Sequence, residues 1–193
     1  GGAITIEGAG LNASNIEQFD LITRSAKPNA EIYANRLNLI TGRNQVDAAT
    51  LSATAKTDNS SDKPQLAIDS SALGGMYAGA IRLVGTEAGV GVKLAGDMAA
   101  SAGDIQIDAN GHLTLAQTAA SGNLHLQATS AELNGKTYAG GSINAQTAGE
   151  LVNRQSLAAR EGIELNAAQL SNTGLIEAGV EADNRRNDRG DVK

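Results

Sequence analysis

Four stretches in the second half of the chain begin alike. They are Gly103-Asp104-Ile105-Gln106-Ile107-Asp108-Ala109, Gly122-Asn123-Leu124-His125-Leu126-Gln127-Ala128, Gly141-Ser142-Ile143-Asn144-Ala145 and Gly162-Ile163-Glu164-Leu165-Asn166-Ala167. Their lead aliphatic residues stand at 105, 124, 143 and 163, in steps of 19, 19 and 20. A second series, Leu113, Leu133, Leu151 and Leu170, steps by 20, 18 and 19. Within each unit aliphatic and polar residues alternate, which is the pattern of a half-buried strand. Each strand is short and bounded by Gly, Asn, Ser or Asp, residues that form turns. A unit this small cannot bury its apolar side alone, but stacked units can, each pairing with the next at about 4.8 Å. The fold expected is therefore all-β, a parallel β-helix of ~19-residue coils. The usual chirality of parallel crossovers makes it right-handed. A sandwich does not need a fixed period, and leucine-rich repeats need a helical arm that this sequence lacks.

Composition agrees. Glycine makes up 23 of 193 residues and alanine 34, while the aromatics are only Phe19, Tyr33, Tyr77 and Tyr138. Alanine alone would suggest helix, but evenly spread glycine would cost each helix about 1 kcal/mol per glycine. A thin aliphatic core and an elongated shape follow.

The first half is looser. Strands are read at Ala3-Ile4-Thr5-Ile6, Asp20-Leu21-Ile22, 30–33, 36–40, 65–68, 79–84 and 89–94, with uneven steps. Residues 54–64 are polar and do not alternate, so a loop leaving the stack is expected there, covering the open first coil. Regular units begin near Gly96. The charged stretch Glu181 to Asp188 breaks the period, and Gly190-Asp191-Val192 resembles the start of a further coil.

Several function classes are disfavoured. Net charge is −6, which offers no basic footprint for nucleic acid and does not favour an anionic membrane. No apolar run reaches the 18 residues of a membrane span, and no Cys is present for disulfides or thiolate metal sites. The first residues carry neither the basic nor the apolar part of a signal peptide. No catalytic residue, metal ligand set or cofactor-binding motif is assigned. His112 and His125 alternate outward and belong to different strand series. Asp97, Asp104 and Asp108 suggest a polysaccharide-active enzyme, which would need two carboxylates held across a sugar. Asp104, however, takes the turn position of Asn123, Ser142 and Asp191 in other units. Arg189-Gly190-Asp191 spells a tripeptide that integrins read and is the one candidate ligand-binding motif, although coil geometry already explains its Gly and Asp.

The stretch Ser71-Ala72-Leu73-Gly74-Gly75-Met76-Tyr77-Ala78-Gly79, continuing through Ile81-Arg82-Leu83-Val84-Gly85-Thr86-Glu87-Ala88-Gly89-Val90-Gly91-Val92, resembles the close of the secretion domain of filamentous-haemagglutinin-like exoproteins. Phe19-Asp20-Leu21-Ile22 and Thr41-Gly42-Arg43-Asn44 are similar to that family too. The resemblance implies residues 1–95 as the carboxy-terminal part of the secretion domain and 96–193 as the first haemagglutinin-type repeats. It implies a non-catalytic fibre segment, secreted to a Gram-negative cell surface through an outer-membrane partner transporter. Distal parts would be adhesive or growth-inhibiting. A direct adhesin module, with a host or bacterial surface receptor, is the alternative. The family's Asn-Pro-Asn motifs are missing, Lys27-Pro28-Asn29 being the nearest, so export of this piece alone is not expected.

Overall fold

A computed structural model of the chain describes residues 2–55 and 63–193. The fold is a parallel β-solenoid of about eight turns, with no helix among the described residues. A regular turn carries three short strands, as in Gly91–Leu94, Met98–Ala100 and Ile105–Ala109. They lie on three successive faces, called here the first, second and third. Each strand pairs in parallel with its counterparts in the turns before and after it. The first face alone forms an unbroken eight-stranded sheet.

Alternation does what the sequence pattern implies. In Leu124–Ala128, Leu124 and Leu126 are buried, while His125 and Gln127 point outward. The lead series is in true register, with Ile105 opposite Leu124, Leu124 opposite Ile143 and Ile143 opposite Ile163. These aliphatic columns stack into one core that runs the length of the solenoid and does not break near residue 95.

The second series needs correcting. Leu113 and Leu151 are both opposite Ala131, not Leu133, and Leu133 is opposite Leu115 and Asn153. The slip is two residues, so both Ala131 and Leu133 face the core. Counting leucines missed the column because its member in this turn is an alanine.

The early turns have longer strands. Ile32–Thr41 and Met76–Gly85 each run for ten residues and serve two faces. Between them the chain leaves the stack. The departure is already under way at Asn44, earlier than the loop expected at 54–64. Asn44–Val46 pairs antiparallel with Ala53–Ala55, so Thr54 and Ala55 belong to a strand. Of the expected loop, residues 56–62 lie outside the described residues. The turn of this hairpin is closed by Asp47, whose Oδ1 accepts from Ala49 N at 2.9 Å and Thr50 N at 2.8 Å.

The described hairpin lies along the third face. Arg82 Nη1 donates to Leu51 O at 3.1 Å, and Ala53 lines one cavity with Val84 and Asp108. Ile40 and Val84 share a row on this face and stand outside the main core, yet both are buried. An outward apolar row tolerates burial only where something covers it, and the excursion lies over this part of the face. Its exit corner is fixed by Arg24, which meets Glu87 at 3.1 Å, and by Gly42, whose φ of 114° favours glycine.

A second excursion follows Ala178. Val180 and Arg186 form an antiparallel bridge, Arg160 meets Glu181 at 2.8 Å, and Arg186 pairs with Glu177. This accounts for the break in period at Glu181 to Asp188. The stack then resumes: Val192 bridges Ile163 in parallel. At this end Leu170 and Leu175 are half exposed.

Candidate functional site

A solenoid presents its outward side chains as ladders, one rung per turn, so any site is built from residues in register and not from neighbours in sequence. The residues singled out from sequence are dispersed by this rule. His112 is on the first face, with Nδ1 2.6 Å from Ser130 Oγ and Nε2 3.7 Å from Glu132. His125 is on the third face, between Gln106 and Asn144. The two do not meet.

The three aspartates also separate. Asp97 precedes the second-face strand Met98–Ala100, where its carbonyl accepts from Met76 N at 2.9 Å. Asp104 sits at the corner between the second and third faces, and its Oδ1 accepts from Asn123 N of the next turn at 2.7 Å. Asn123 repeats the contact upward, accepting from Ser142 N at 2.9 Å. These side chains bond turn to turn, which is the structural role their turn position implied. Asp108 is on the third face and accepts from Gln106 Nε2 at 2.9 Å. Among the described residues, no three His, Cys, Asp or Glu side chains gather as a metal site.

Arg189, Gly190 and Asp191 lie where the chain rejoins the stack. Arg189 N donates to Asn187 Oδ1 at 2.8 Å, and Asp191 O accepts from Ile163 N at 2.8 Å. A Cβ on Gly190 would stand 2.3 Å from Gly179 N, so close backbone approach requires this glycine. The Arg and Asp side chains are both exposed, but the tripeptide is held against the last turn and does not form the tip of a free loop.

Two lateral features escaped the sequence reading. The first is a row on the second face. Tyr33 is opposite Tyr77, followed in register by Ala99, Ala119, Tyr138, Ala158 and Glu177. All three tyrosines of the chain therefore share one row, and the rings of Tyr33 and Tyr77 stack with centroids 5.2 Å apart. Tyr33 donates to Glu31, and that bond above all raises its pKa. For Tyr77 and Tyr138 burial is the main cause of a raised value, aided by Asp97 and by Glu181 respectively. The row was hidden because its tyrosines stand in turns of different length. Only the register of the turns between them aligns them.

The second feature is a trough along the edge of the third face. Two adjoining cavities of about 380 and 370 Å³ share Ala109, Asn110 and Gln127. Ala53 of the hairpin stands at one end. One wall is the ladder Asp108, Gln127, Gln146 and Asn166, in register turn by turn.

Comparison with known proteins adds to this geometry. The family model of the TPS secretion domain matches residues 1–115. "Toxin CdiA" of Yersinia pestis is 54% identical over 112 residues, which are 58% of this chain and 3% of that protein. "tRNA nuclease CdiA" of Yersinia mollaretii is 39% identical over 186 residues, 92% of this chain and 6% of that protein. "16S rRNA endonuclease CdiA" of Enterobacter cloacae is 40% identical over 149 residues, 76% of this chain and 4% of that protein. The chain thus spans only a few per cent of the length of these curated relatives. No solved structure matches it.

Proposed function

The chain belongs to the TPS secretion domain family and is a segment of a secreted, cell-surface-associated exoprotein, and from that premise we propose that it works as a non-catalytic stalk. In this reading the chain passes an outer-membrane partner transporter and folds outside, turn upon turn. It then holds distal regions, adhesive or growth-inhibiting, away from the cell. Residues 1–95 close the secretion domain, and 96–193 start the repetitive stalk.

The carrying observation is the uninterrupted parallel ladder. Each turn offers its backbone edge and its aliphatic column to the next, as where Leu124 N donates to Ser142 O and Ile143 N to Gly162 O. Stability in such a stack is close to a sum of nearest-neighbour terms, so a growing end templates its own extension. The half-exposed Leu170 and Leu175 give such an end an apolar surface for a further coil. The names of the relatives support the non-catalytic part. One is named for tRNA and another for 16S rRNA, although both match this segment, so the difference between them is carried elsewhere.

The test is display. In a cell making the full exoprotein and its transporter, Leu124→Asp and Leu126→Asp together should abolish surface exposure of a distal epitope without lowering synthesis. Display equal to the parent protein's would refute the stalk reading.

A further inference from the structure

We propose that the trough on the third face is a binding site for a neutral, extended glycan chain lying along the solenoid axis. This goes beyond the stalk reading and does not rest on it. The observation that carries it is a contrast between two amide ladders. Asn153 and Asn172 form the first: Asn153 is buried, Asn172 is exposed on the last rung, and Asn153 Nδ2 donates to Asn172 Oδ1 at 2.9 Å and to Gln155 O at 2.8 Å. That ladder spends its hydrogen bonds inside the protein and holds turns together. Gln127, Gln146 and Asn166 form the second. They stand on three successive rungs, all exposed, and among the described residues their side chains make no hydrogen bond to the protein. This ladder does not hold the fold together; its donors and acceptors are free for a ligand.

The chemistry of the lining selects the ligand. A primary amide both donates and accepts, as a sugar hydroxyl does. Among the described residues no Lys or Arg lines either cavity, and the one carboxylate there, Asp108, is already engaged by Gln106. A polyanion would find no cation there. Rungs recur at about 4.8 Å, comparable with the length of one pyranose ring, so successive sugars can meet successive amides. Ala109 and Ala128 at the corner are small and leave the floor open. The trough crosses several rungs in a straight line, which suits an extended β-linked chain better than a coiled α-linked one. With one carboxylate among the described residues of the lining, the acid pair that glycoside cleavage uses is not assembled there, and the proposed role is binding without cutting.

The test titrates the 193-residue chain with cellohexaose, read by isothermal calorimetry and saturation-transfer NMR. Saturable binding is expected, weaker or absent for maltohexaose and for a heparin-derived hexasaccharide. Gln127→Ala with Gln146→Ala should weaken it about tenfold while the thermal midpoint holds, since each amide contributes roughly one ordinary hydrogen bond. Asn166→Ala should weaken it less, and Glu132→Ala, on the first face, not at all. No saturable binding of cellohexaose at millimolar concentration overturns the proposal. So does equal loss in Glu132→Ala, or tighter binding of the heparin fragment.

Discussion

From Gly91 to Ala178 every turn is built alike, with three short strands and corners of one to four residues. From Ala3 to Glu87 the same cross-section is reached with ten-residue strands, a hairpin that leaves the stack, and a part-buried ion pair between Arg24 and Glu87. The regular part draws its stability from repetition: an aliphatic column, a corner of glycines, a polar side chain bonding to the turn above. The irregular part uses single contacts between distant residues, as where Thr41 Oγ1 donates to Val84 O across 43 residues. Repetition extends without limit but has no features. Irregularity supplies features, and each must be fixed separately.

The comparison can be broken at its strongest point first. Leu124→Asp places a carboxylate in the column where Leu124 is fully buried. It should cost at least about 4 kcal/mol, from lost packing and an unpaired buried charge. Chemical denaturation would show this, and loss should spread through the neighbouring turns. A midpoint equal to the parent's would mean Leu124 does not face the core.

Ile40→Ala probes the irregular part. Its side chain is as buried as Leu124 but lies on the third face beside the excursion. A cost of about 2–4 kcal/mol is expected. Hydrogen exchange should rise near 44–55 while amides of the later turns stay protected. Uniform loss of protection would show that the two regions melt as one.

Gly122→Ala tests the glycine corner. A Cβ there would meet Asp104 Oδ1 at 2.3 Å and Gly103 O at 2.9 Å. The corner must spread, costing about 1–3 kcal/mol, readable as a lowered thermal midpoint. A neutral result would show that turns can separate locally without penalty.

The smallest effect separates the regions by pH. Asp47 and Asp183 both close turns in excursions, and backbone N–H donors hold both carboxyls below the usual range, chiefly those of Thr50 and Arg185 respectively. A depressed folded pKa means this stabilisation is present above the unfolded value and is lost as pH falls through the folded one. Acid below the ordinary carboxylate range should therefore loosen the two excursion turns. The Ala49, Thr50 and Arg185 amide resonances should shift below the normal carboxylate range, before core amides such as that of Leu126 change. Core amides moving first would place acid sensitivity in the stack instead.

The sequence made the regular part legible down to single residues. The 105, 124, 143 and 163 column, the outward histidines and the turn role of Asp104 all stand as read. Where it failed, a count replaced a contact. Spacing puts Leu133 in the second series because it is a leucine, whereas the column needs only a residue facing inward at that rung, and Ala131 meets that need. The tyrosine row and the amide trough were invisible for the same reason, since both depend on which residues share a rung.

What the sequence determined alone is therefore local: strand from alternation, inward from outward, and coil length where glycine and turn residues recur at fixed spacing. What only the tertiary structure decided is register across turns of unequal length. A loop inserted between rungs costs entropy that grows slowly with its length, so turns can differ by many residues with the stack intact. Linear distance then carries no information on alignment. Stacking contacts between turns set it, and with it the row of tyrosines, the covered Ile40 and the free amides of the trough.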